Sequence, residues 1–251
     1  MKHSKLSCLL LAVLLCMSLL SGCGNTNNSQ APVEPSSNTG STNVPAQSTA
    51  DENESAAEQL LQDLEGTYQE LWPVVLANEY QQIWLDNCAN LVGEENAKSA
   101  AEMLSSMVTG TLTGEDAVSA YKDDGMAYCC EFLQNVNQFN FEGSTISGMD
   151  NAGNEIFKHS YHYTGTEDVR GLSIFESDDA DSGEFTYFCL APDTMDTTWH
   201  IEFRYGSDID ALNSYDSGAY AYWLASGISV DCTLQDIENV IELFCTENLS
   251  E

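Results

Sequence analysis

Within TTWHIEFRYG, residues 197 to 206, His200 and Glu202 stand two positions apart in a run that alternates polar and apolar side chains. Such alternation predicts a β-strand, where residues two apart project to the same face. His200 and Glu202 therefore share one face, while Trp199, Ile201 and Phe203 share the other. An imidazole nitrogen beside a carboxylate oxygen is a donor pair for a divalent cation, provided other strands bring further donors to the same point. KHSYHYTG, residues 158 to 165, carries His159 and His162. These are three apart, so on a strand they face opposite sides and only one could join His200; His162 is favoured because Tyr161 and Tyr163 then share the other face. The plainer reading of His200 is an ordinary strand histidine without ligand duties.

Other chemistries have less to work with. No Gly-x-Ser-x-Gly elbow surrounds a serine, no glycine-rich phosphate loop follows a strand, and no HExxH occurs. The stretch Asp150-Asn-Ala-Gly-Asn-Glu155 lacks the ligand spacing of a calcium loop and reads as a hairpin turn. No enzyme is expected. The formal charge is −33 over 251 residues, and all 40 acidic side chains follow Cys23. That balance excludes nucleic acid and anionic membrane surfaces as partners, since both require basic patches.

The elements that must position these residues run helices first, strands next and a helix last. Ser55-Ala-Ala-Glu58 has capping-box spacing and opens an amphipathic run on Leu60, Leu61, Leu64, Tyr68, Leu71 and Trp72, which Pro73 should break. Helices are expected over 94–107 and, after Thr113, over 114–121. From residue 127 the period changes to two. NQFNFEG, EIFKHSYHYTG, RGLSIFES, EFTYFCLAP and TWHIEFRYG read as strands of an antiparallel meander, separated by turn signals rich in Gly, Asp and Asn. Thr233-Leu-Gln-Asp236 caps a final helix with Ile237, Val240, Ile241 and Phe244 on one face. The fold class is therefore mainly β (α+β), a small antiparallel barrel or strongly curved sheet with helices at its N- and C-terminal flanks.

The remaining segments set the context. Lys2, His3 and Lys5 precede a largely apolar run from Leu6 to Leu20 that is short for a membrane span and suited to a signal peptide. The run ends in Leu20-Ser21-Gly22-Cys23, which resembles a bacterial lipobox and implies cleavage after residue 22 with lipid carried by Cys23. Residues 23–54 are dominated by Asn, Ser, Thr, Gln, Pro and Gly, with too little apolar surface to fold, and read as a tether. Residues 55–251 form the single expected domain, held by a lipid anchor on the extracytoplasmic face of the cell membrane. Six of its residues are cysteines: Cys88, Cys129, Cys130, Cys189, Cys232 and Cys245. In that compartment they allow up to three disulfides, or they are buried thiols.

Several stretches together resemble one family. GTYQELWPVVLANEY (66–80), ISGMDNAGNEIFKHSYHYTGTEDVRGLSIFE (146–176), CLAPDTMDTTWHIEFRYGSDIDAL (189–212) and YWLASGISVDCTLQDIENVI (222–241) follow the order of segments in the ZinT/YodA family of bacterial zinc-binding proteins. The resemblance implies a lipocalin-like (calycin) barrel, zinc as the bound ion, and a role in metal buffering or delivery to an ABC-type uptake system. It also implies that the family's His-x-His pair falls on His200 and Glu202, with an oxygen donor in place of the second imidazole. The family's third histidine falls near Phe188 or Cys189, and Cys189 is the candidate thiolate there. The ligand set expected is thus His200 and Glu202, supplemented by His162 or Cys189. The alternative is a calycin-like module whose metal site has degenerated and whose barrel mouth takes a small apolar ligand or whose surface takes a protein partner.

Overall fold

The computed structural model describes residues 47–121, 127–193 and 198–250. Cys23, the expected leader and residues 23–46 of the expected tether lie outside the described residues, while residues 47–54 of that stretch belong to the first helix. The order is α1 (Gln47–Asp63), β1 (Gly66–Glu70), α2 (Leu71–Val75), α3 (Gln81–Val92), α4 (Glu94–Val108), α5 (Gly114–Tyr121), β2 (Gln138–Glu142), β3 (Thr145–Met149), β4 (Glu155–Thr166), β5 (Ser173–Ser177), β6 (Tyr187–Asp193), β7 (His200–Gly206), α6 (Ile209–Leu212), β8 (Ala225–Ser229) and α7 (Leu234–Leu249). Each strand pairs antiparallel with the next, and β8 pairs with β1, so the sheet closes as an eight-stranded up-and-down barrel of the lipocalin-like type.

Three strands differ from the expectation. β1, at Gly66–Glu70, was expected to continue the first helix. Instead Gly66 turns the chain at a φ of +144°, and Tyr68 goes into the barrel. β3 and β8 are short, and β8 is buried at every position, so neither shows alternation. The first helix begins at Gln47, which puts Ser55 inside it and not at its cap.

Inward positions fill the barrel with rings. Phe139 meets Phe132, Phe157, Phe188, Phe203 and Tyr205 with centroids 4.9 to 6.0 Å apart. Phe132 comes from the segment after α5, which is tied to the barrel by backbone bonds from Cys129 to Tyr222 and from Leu224 to Cys129. The Tyr205 hydroxyl joins that segment as well, accepting from Leu133 N–H and donating to Leu133 C=O.

A second core lies outside the barrel wall. Leu71, Trp72 and Val75 of α2, Trp84 and Cys88 of α3, Ala97, Ala100 and Leu104 of α4, and Ile237, Val240, Ile241 and Cys245 of α7 pack together around Ile228 of β8. The cap expected for α7 is present: Thr233 Oγ1 accepts from Asp236 N–H while Thr233 N–H donates to Asp236 Oδ2 at 2.7 Å. This helical layer is what the outward face of β7 meets.

Candidate metal centre

β7 alternates as its sequence predicts, but its polar face points away from the barrel. Ile201, Phe203 and Tyr205 belong to the barrel interior. His200 and Glu202 line a narrow cleft of about 20 Å³ with Leu71 and Trp72 of α2 and Val240, Leu243, Phe244 and Glu247 of α7. The pair therefore does not face the barrel interior. Aromatic side chains take the interior face of β7, and the imidazole–carboxylate pair is left to the wall covered by helices. Trp199 does not share the inner face either. Its φ of +50° breaks the alternation just before β7, and its side chain is half exposed.

His200 is 5% exposed, and its Nδ1 lies 2.6 Å from Thr198 Oγ1. Burial pushes its pKa down to about 4, so the ring is neutral at physiological pH. Neutral imidazole is the form that binds a metal. Glu202 is half-buried beside it, and Glu247 reaches the cleft from the last turns of α7. Thr198, His200, Glu202, Asn239 and Glu247 all have interaction partners. Among the described residues, no group of three or more His, Cys, Asp or Glu side chains stands close enough to hold a metal ion. The donor chemistry at the cleft suits a divalent ion, and the spacing of the donors is wider than a bound ion requires.

The two supplementary ligands lie elsewhere. His162 is on the outward face of β4, half exposed, with Nδ1 2.7 Å from Asp178 Oδ1. β5 and β6 separate β4 from β7, so His162 does not reach His200. The histidine with inward parity on β4 is His159, stacked on Phe157 and 2.9 Å from Asp179 Oδ2.

Cys189 pairs in register with Arg204, further along β7 than His200. It is fully buried, and burial pushes its thiol up to about 12 against the opposing effect of Arg204. A thiol so placed stays protonated, and it belongs to a separate cluster. There the Arg204 guanidinium lies 4.3 Å from the Tyr215 ring centroid and the Arg170 guanidinium lies 4.5 Å from it. Arg204 also donates to the carbonyls of Leu212, Ser214 and Tyr220.

Sequence reading missed Thr198 and Glu247. Glu247 follows Val240 and Phe244 at helical spacing and so continues the stripe that α7 turns toward the barrel wall. Nothing in the sequence alone says that this stripe lies over His200.

No protein-family model and no curated relative matches the chain by sequence. Among solved structures, the chain is similar to the Zn(II)-bound ZinT-like domain of Streptococcus pneumoniae AdcA, at 18% identity and a TM-score of 0.46, over 72% of this chain and 89% of that one. It is similar also to Zn(II)-bound AdcA from the same organism, at 18% identity and a TM-score of 0.43, over 74% of this chain and 35% of that longer one.

Proposed function

We propose that this chain is a non-enzymatic, extracytoplasmic lipoprotein, anchored through Cys23, that binds a divalent metal ion, zinc foremost, and either buffers it or passes it to an ABC-type uptake system. One observation carries the reading: a buried, neutral His200, held at Nδ1 by Thr198, sits beside Glu202 and across a narrow cleft from Glu247. An acceptor that takes a hydrogen bond from the far nitrogen of an imidazole is a recurrent feature of metal-ligating histidines, and the Thr198 hydroxyl is placed to serve as one. Zinc takes about four N, O or S donors. His200, Glu202 and Glu247 line the cleft and are the side chains that would hold such an ion. The acidic surface adds a general attraction for cations, which raises their local concentration without making a site. The alternative of an apolar ligand in the barrel is opposed by the rings packed there.

The test is calorimetric zinc titration of the chain from residue 24 onward, beside its His200→Ala variant. Binding in the micromolar range or tighter is expected, and the variant should lose more than about tenfold of it. Binding of equal strength in the variant would move the site away from His200. Absence of binding in the parent protein would reject the metal reading.

A further inference from the structure

Two buried thiols in the helical layer meet although they lie far apart in the sequence. Cys88 of α3 and Cys245 of α7 are both fully buried, with their Sγ atoms 3.8 Å apart and a sequence separation of 157 residues. α3 and α7 pack directly against each other. A disulfide needs an S–S distance of about 2.05 Å; both thiols are free in this structure, with their sulfurs already in contact. Of the other described cysteines, Cys232 is only partly buried, and the remaining three have different surroundings. Cys189 lies under Arg204, Cys130 faces Ser226 and Trp72, and Cys129 is bonded through its backbone to Tyr222 and Leu224.

We propose that Cys88 and Cys245 are a disulfide-forming pair that fastens α7 to α3. The oxidant is a disulfide-bearing molecule, oxidised glutathione or a dithiol oxidoreductase in its disulfide form. One protein thiolate attacks the oxidant's S–S bond and forms a mixed disulfide. The second displaces the oxidant sulfur. The two cysteines give up two protons and two electrons, and the oxidant leaves as two thiols.

Burial raises both thiols above their ordinary range, so neither is a ready nucleophile once the helices have docked. The bond therefore forms before α7 closes over α3, and the same burial afterwards shields it from reductants. Its effect falls on α7, whose Val240, Leu243, Phe244 and Glu247 cover the cleft at His200. Fastening α7 limits its excursions whether or not a metal binds there.

The test uses the chain from residue 24 onward, reduced and unfolded in denaturant, then refolded with and without oxidised glutathione. Free thiols are trapped with iodoacetamide under denaturing conditions and the peptides mapped. The expected result is a Cys88–Cys245 linked peptide in the oxidised sample, cleaved by dithiothreitol, leaving four of the six cysteines alkylated. Hydrogen exchange at α7 amides should slow by about tenfold in the oxidised form. Cys88→Ala and Cys245→Ala should each abolish the linked peptide. Should either variant fail to fold, the map of the unsubstituted chain still decides. Quantitative alkylation of both cysteines after oxidative refolding, or their linkage to other cysteines, would overturn the proposal.

Discussion

The hydroxyl oxygen of Thr198 lies 2.6 Å from Nδ1 of His200, so a hydroxyl helps to orient this buried imidazole. If Nδ1 donates to the hydroxyl, Nε2 keeps its lone pair for an ion; if the hydroxyl donates, the proton sits on Nε2. Metal binding selects the first arrangement. Thr198→Val keeps the shape and removes the oxygen, and should weaken zinc binding by roughly 10- to 100-fold, while Thr198→Ser should restore most of it. Calorimetry on the three proteins checks this, and an unchanged affinity in Thr198→Val would remove Thr198 from any role at the site.

His200 also gives stability a pH dependence. Its folded pKa is about 4 against an ordinary value of 6.5, so the unfolded chain takes up a proton where the folded one does not. The contribution is complete above pH 6.5, declines as pH falls from 6.5 toward 4, and is then constant. It amounts to about 3 kcal/mol across that window. Urea unfolding of the parent protein and of His200→Gln, at half-unit steps from pH 7 to 4, should give a stability difference that shrinks as pH falls. A pH-independent difference would mean that the ring titrates normally.

Glu202→Gln and Glu247→Gln separate the strand donor from the helix donor. Both keep their size and lose a charged oxygen, and each should weaken zinc binding by about tenfold or more if both carboxylates join His200. An effect of Glu202→Gln alone would confine the protein's donors to β7.

Arg204 is fully buried and serves the fold. Its planar fork reaches three backbone carbonyls and stacks on Tyr215, which an ammonium group cannot reproduce. Arg204→Lys should cost about 2 to 4 kcal/mol and lower the melting midpoint by roughly 5 to 15 °C in thermal circular dichroism, with zinc affinity of the folded protein unchanged. A midpoint within 2 °C of the parent would show that this network adds little.

Tyr205→Phe removes the hydroxyl shared by Leu133 N–H and Leu133 C=O. The ring stays packed against Phe139 and Trp223. The loss should be about 1 to 3 kcal/mol, because two backbone groups near the barrel end lose their partner. Denaturant melts with an unchanged slope and a lower midpoint are the expected signature.

The sequence made the strand meander, the final helix and its Thr233 cap legible because each announces itself within a few residues. The Asp150 turn is of the same kind, with Asp150 Oδ1 accepting from the N–H groups of Ala152 and Asn154. β1 and β8 were hidden for opposite reasons: Tyr68 and Leu71 fit a helical stripe as well as a strand, and Ala225–Ser229 is buried on both faces. The pairing of His200 with Glu202 on one face was legible from alternation. Which face met the core was not, since that depends on Phe139, Phe157 and Phe188 crowding the inside while α2 and α7 cover the outside. Convergence with His162 or Cys189 failed because strand order and register, which set lateral distance around a barrel, are nonlocal properties.

Because the eighth strand returns to pair with the first, every ladder bond around the wall is spent within one molecule. Copies that meet present carboxylate-rich exteriors that repel and, among the described residues, no open sheet edge on which to stack into fibres.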